Sequence, residues 1–77
     1  MQRALVLFNI ESGTESQVLK AVKKIEGVEE AYISYGVYDL AVKVRADSMD
    51  NLKDVISNKL RQISQVRSTI SLLLIEN

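Results

Sequence analysis

The sequence predicts a small α+β domain of ferredoxin-like order, βαββαβ: a four-stranded antiparallel sheet with both helices on one face. Three observations predict it. Four short segments are rich in Val, Ile, Leu and Phe. Two segments between them carry apolar residues at helical spacing. No proline interrupts any of the six.

The first strand is the nearly continuous apolar run Ala4–Ile10, broken by Glu11–Ser12–Gly13–Thr14. Ser12 and Glu15 have capping-box spacing, and Thr14 is an alternative cap. Val18, Val22 and Ile25 then follow at i, i+4 and i+7, widened by Leu19 and Ala21. This predicts an amphipathic helix with Lys20, Lys23 and Lys24 outward and Gly27 as its stop. Val28–Tyr35 alternates as a second strand, with Ala31, Ile33 and Tyr35 on one side and Tyr32 and Ser34 on the other. Gly36–Val37–Tyr38–Asp39 turns the chain into a third strand, where Leu40, Val42 and Val44 alternate with Ala41, Lys43 and Arg45. Asp47 or Ser48 caps a second helix, carried by Leu52, Val55, Ile56, Leu60 and Ile63 and about as long as the first. Val66–Ile75 is the closing strand. The halves Met1–Tyr35 and Gly36–Asn77 match in element order, not in residues.

Composition narrows the function classes. With 77 residues and no cysteine, the chain has neither a large core nor disulfides to hold it. No histidine is present, which removes the commonest general base and metal ligand. Self-association is the remaining staple. Ten basic residues balance ten acidic ones, so the chain lacks the positive field that direct nucleic-acid binding needs. No apolar run approaches a membrane span of about 20 residues, and no leader is visible, so a cytoplasmic location is expected and no membrane contact. Glu29 and Glu30 are adjacent in a strand, so they should point to opposite faces and not act as a carboxylate pair. An enzyme is not expected, and no cofactor or metal.

The sheet is predicted to be apolar on both faces. Leu5 and Leu7 oppose Val6 and Phe8, while Ile70, Leu72 and Leu74 oppose Leu73 and Ile75. The helices cover one face. The other would expose more apolar surface than soluble monomers tolerate, so a second copy should cover it, sheet against sheet, as a two-fold dimer.

The run Gly27–Val28 followed by a strand and Gly36–Val37–Tyr38–Asp39–Leu40, with Val66–Arg67–Ser68–Thr69–Ile70–Ser71 at the last strand, resembles one family. It is the C-terminal effector-binding (RAM) domain of the leucine-responsive Lrp/AsnC regulators, and the resemblance covers the chain in element order and spacing. The regulators carry a helix-turn-helix domain before it. Here the first strand starts near Met1, so the sequence is read as a single stand-alone effector domain, 1–77. The resemblance implies sheet-to-sheet dimers assembled into rings, often octamers, with an amino acid effector bound between dimers. It also implies a role in transcription regulation or amino acid metabolism, with full-length Lrp/AsnC regulators as possible partners.

The candidate ligand residues are Ser34, Tyr35, Gly36, Tyr38, Asp39, Ser68, Thr69 and Ser71. Gly36 either makes the turn or admits a ligand to the backbone. Asp39 either accepts a ligand ammonium or caps the turn. Tyr38 fits a pocket wall, whereas Tyr35 fits a core position as well. Thr69 and Ser71, two apart, share a face where their hydroxyls would anchor a ligand carboxylate, or are ordinary strand residues. Ser68 adjoins them, and Arg67 reads as a solvated rim residue. A zwitterion would set its ammonium on Asp39 and its carboxylate on amides near Gly36 and the hydroxyl of Thr69. Two other readings stand beside this one: a purely structural oligomerisation module, and a regulatory domain of the ACT type.

Overall fold

The computed structural model describes residues 1–75. In chain order the elements are β1 (Gln2–Ile10), α1 (Glu15–Lys23), β2 (Val28–Ile33), β3 (Leu40–Ala46), α2 (Met49–Asp54) and β4 (Val66–Leu74). A π-helical turn, Val55–Leu60, extends α2. The strands form one sheet in the order β2-β3-β1-β4, every neighbouring pair antiparallel. The βαββαβ order is therefore the one the sequence predicts.

Alternation along β1 and β3 builds the core. Ala4, Val6 and Phe8 pair with Val44, Val42 and Leu40, and all six are buried. Val18 and Val22 of α1 close over them, as do Leu52, Val55, Ile56 and Leu60. No polar side chain is buried among the described residues. Burying a side chain such as Phe8 or Leu40 contributes about 1.5–3 kcal/mol.

Local chemistry sets the helix ends. Ser48 Oγ accepts from the Asn51 amide at 3.1 Å and caps α2. At α1 the expected Ser12–Glu15 box does not form. The chain bends at Gly13, whose φ is 84°, and the Glu15 carboxylate accepts from the Gly13 amide instead. Thr14 is the boundary residue, and its hydroxyl donates to the Glu11 carbonyl at 2.6 Å. Gly27 lies beyond α1, at the start of β2. Its φ is 100°, its carbonyl accepts from the Arg45 amide at 2.8 Å, and a Cβ there would sit 2.9 Å from the Arg45 carbonyl oxygen. Only glycine fits without strain.

In the π-helical turn the Arg61 amide donates to the Ile56 carbonyl, five residues back, at 3.0 Å. The wide turn keeps Val55, Ile56 and Leu60 buried together.

Two expectations about β2 are corrected. The pairing passes from Val28–Val44 directly to Glu30–Lys43, so Glu29 is an extra, bulged residue. The bulge cancels the alternation, and both carboxylates reach side chains of the helix-free face. Glu29 meets Arg3 at 3.3 Å and Arg45 at 4.0 Å, while Glu30 meets Lys43 at 3.7 Å. They act as counter-ions to three cations. Glu30 also accepts from the Tyr32 hydroxyl, and that bond, with the nearby negative charge, raises the Tyr32 pKa. The second correction is Tyr35. The strand stops at Ile33, so Tyr35 lies outside it and is 97% exposed, not core.

The helix-free face divides in two. Over β1 and β4 it is apolar: Leu5 pairs with Leu72 and Leu7 with Ile70, and Leu74 follows. Ile70, Leu72 and Leu74 are each more than 40% exposed. Over β2 and β3 it carries the ion pairs of Glu29 and Glu30. The helices lie on β1, β2 and β3, which leaves Leu73, on the helix side of β4, exposed as well. Among the described residues no helix is long and apolar enough to cross a membrane.

Candidate functional site

The turn after β2 and the start of β4 lie at one end of the sheet, on either side of the last residues of β1. The Ser34 amide donates to the Asp39 carbonyl at 2.8 Å, and the Asp39 amide donates to the Phe8 carbonyl at 2.8 Å. The Asp39 carboxylate accepts from the Ile10 amide through Oδ2 at 2.9 Å. Asp39 therefore fastens the turn to β1 with both its backbone and its side chain. One carboxylate oxygen, Oδ1, is left over, with no bond among the described residues.

Gly36 sits at φ 148°, with nothing within 4 Å of where a Cβ would be. Its backbone is open to approach, and other residues would be strained there. Tyr38 and Ser34 are half-buried, while Tyr35 and Val37 stand in solvent. Val37 was not singled out by the sequence. It is an exposed apolar residue beside Gly36, and a turn position gives no signal that it will be bare.

On β4, Thr69 pairs with Phe8 and Ser71 with Val6, so both are on the helix side. Because the helices stop short of β4, Thr69 is only half-buried and Ser71 is exposed. Ser68 pairs with Asn9 on the opposite face, and its Oγ accepts from Asn9 Nδ2 at 3.3 Å. The pairing then passes from Asn9–Ser68 to Ile10–Val66, which makes Arg67 a bulged residue. Arg61, from the end of the π-helical turn, donates from Nε to Thr69 Oγ1 at 2.9 Å. Neither Asn9 nor Arg61 is marked by sequence pattern, because each is placed by pairing across the fold.

The candidates thus form two groups. Ser34, Tyr35, Gly36, Tyr38 and Asp39 lie at the β3 side of β1, and Ser68, Thr69 and Ser71 lie on β4. Strand β1 separates them by two strand spacings, about 9–10 Å. The α-ammonium and α-carboxylate of one amino acid are much closer than that.

Two concave regions adjoin the sheet. One, of about 400 Å³, is at the opposite end from the turn, against Gly27, Arg45, Asp47, Asp54 and Lys59. The other, of about 270 Å³, lies against Arg61, Val66, Arg67, Ser68 and Thr69. The larger holds none of the predicted residues, and the smaller holds two of them. No cluster of three His, Cys, Asp or Glu side chains occurs among the described residues.

Comparison with known proteins follows the same geometry. The model of the Lrp/AsnC ligand binding domain matches residues 3–77. An uncharacterised HTH-type transcriptional regulator of Pyrococcus abyssi is 36% identical over 70 residues, covering 90% of this chain and 47% of that protein. The regulatory protein AsnC of Escherichia coli is 34% identical over 59 residues, covering 77% of this chain and 39% of that one. The chain spans about half the length of the first of these relatives and less of the second. Among solved structures, the crystal structure of FFRP-DM1 superposes with a TM-score of 0.94 at 33% identity, covering 97% of this chain and 100% of that one.

Proposed function

The chain belongs to the Lrp/AsnC ligand-binding domain family, and from that premise we propose that it is a self-associating regulatory module that binds an amino acid effector. A second copy covers the apolar half of the helix-free face, and dimers assemble further, octamers included. The module acts on transcription or amino acid metabolism from the cytoplasm, without contacting DNA itself. Full-length regulators of the same family are its candidate partners. The relatives are regulators, not enzymes, and the reading excludes catalysis by this chain.

The observation that carries the association is the patch of exposed Ile70, Leu72 and Leu74 beside half-buried Leu5 and Leu7. Water is displaced from such a patch at about 1.5–3 kcal/mol per side chain. The separation of Asp39 from Thr69 supports an effector site completed by a second chain. The turn of one copy would supply the ammonium contact and β4 of another the carboxylate contact.

Thermal unfolding of the chain against each of the twenty amino acids at millimolar concentration tests the effector. Binding at a hundred times the dissociation constant adds about 2.7 kcal/mol, a shift of several degrees in a domain this small. A rise with one or a few amino acids names the effector. A flat result across all twenty removes the sensor and leaves the oligomerisation module.

A further inference from the structure

Six consecutive residues near the end of the chain, Ile70–Ser71–Leu72–Leu73–Leu74–Ile75, contain no charge, glycine or proline. In the sequence the nearest charges stand outside them, at Arg67 and Glu76. All five of the Ile and Leu side chains are exposed. β4 ends the sheet, so one of its edges pairs with β1 and the other presents unpaired backbone groups. The helices stop short of it, and no residue of β4 belongs to the buried core. The comparable apolar run in β1, Ala4–Ile10, is locked: that strand is paired on both sides, and Ala4, Val6 and Phe8 are fully buried.

We infer that Ile70–Ile75 is a self-complementary segment through which copies of this chain stack into a cross-β fibre. Its partner is the same segment of other copies. Uncharged six-residue stretches of high strand propensity are the kind that stack in this way. Ile70, Leu72 and Leu74 line up on one face of the strand, and Ser71 and Leu73 on the other. Identical strands stacked about 4.7–4.8 Å apart set like side chain over like, and two such stacks interdigitate as a dry seam. Growth on both edges requires β4 to leave β1. β4 is the last element of the chain, so its release breaks one strand pairing and leaves the buried residues of β1, β3 and the helices in place. The seam uses the Ile70–Leu72–Leu74 face that a dimer would also cover. That a dimer shields the segment rests on the reading above. The segment itself rests on its own chemistry and exposure.

The test is incubation of the full chain with agitation, followed by thioflavin T fluorescence, fibre diffraction and hydrogen exchange of the product. The expected result is a lag and then growth, a reflection at about 4.7–4.8 Å, and protection centred on Ile70–Ile75. Leu73→Lys is the deciding variant. Leu73 is 53% exposed and lies on the helix side, away from the dimer face, so folding and association should be unchanged. In the fibre it stacks like charges, which should lengthen the lag roughly tenfold or more. Leu5→Glu tests the shield, because it disrupts the dimer face outside the segment. With secondary structure unchanged by circular dichroism, it should shorten the lag roughly severalfold. A wild-type chain that gives no such reflection overturns the segment, as does protection centred on Ala4–Ile10 or a wild-type lag in Leu73→Lys. A monomeric Leu5→Glu with the wild-type lag removes the shield and leaves the segment. A wild type that forms these fibres but is monomeric by sedimentation velocity upholds the segment and removes the dimer reading.

Discussion

Strands β2 and β4 both end the sheet, yet one is six residues long and the other nine. β2 carries a bulge, and its Glu29 and Glu30 are tied to Arg3, Lys43 and Arg45. β4 is exposed along nearly its whole length and carries Ile70, Leu72, Leu73 and Leu74. Bulges and charges are the usual means of keeping a sheet edge from pairing with another chain. One edge is defended and the other is not. On the proposed reading, the apolar half of the helix-free face, beside the undefended edge, is the part a second copy would meet.

The strongest way to break that comparison is Leu72→Asp. In a two-fold dimer the change removes two buried leucines, about 3–6 kcal/mol in all, or roughly a hundred- to ten-thousand-fold in affinity. Sedimentation velocity should show the wild type associated and this variant as monomers, each with unchanged secondary structure. Persistence of the wild-type assembly in Leu72→Asp would place the partner elsewhere.

A middle-sized effect comes from the defended edge. Gly27→Ala puts a Cβ 2.9 Å from the Arg45 carbonyl oxygen at a φ of 100°. It should destabilise the fold by about 1–3 kcal/mol in urea unfolding while dimerisation of the folded protein persists. Equal loss of association in this variant would mean that β2 also belongs to the interface.

The smallest effect sharpens the picture of the charged half. The Tyr32 phenol is held above its ordinary value of 10.0 by the hydrogen bond to Glu30 and by that carboxylate's charge. A raised folded pKa means that the interaction is intact below the unfolded pKa and is lost as pH rises through the folded one. Ultraviolet titration should show Tyr32 ionising above its ordinary value, and Glu30→Gln should return it toward that value. Tyr32 is 58% exposed, so stability should hardly change. A late tyrosine that persists in Glu30→Gln would locate the cause outside this pair.

These contrasts also mark what was legible in the residues. Strand and helix order could be read because alternation in Leu40, Val42 and Val44, and the spacing of Val18 and Val22, report directly on burial. The bulge at Glu29 was not legible, since it exists only in the register between β2 and β3. Tyr35 was misplaced because strand periodicity does not announce where a strand stops, and here the turn begins before Gly36. The π-helical turn was not legible because apolar spacing reads alike in both helix types until the hydrogen bonds are seen. The site was half legible. Its residue types stood out, but the separation of about 9–10 Å that strand β1 sets between the two groups is a property of sheet order.

Sheet order governs time as well as space. β1 is an inner strand, and it pairs with β4 at the far end of the chain, from Arg3–Leu74 to Ile10–Val66. Such pairings close very large loops, which slows folding relative to a domain of local contacts. Until β4 arrives, β1 presents a bare edge of its own, and the Ile–Ser–Leu–Leu–Leu stretch of β4 is loose. Crowded chains at that stage would cross-pair and aggregate. Refolding yield should therefore fall with protein concentration, the opposite of the dependence expected for the proposed dimer.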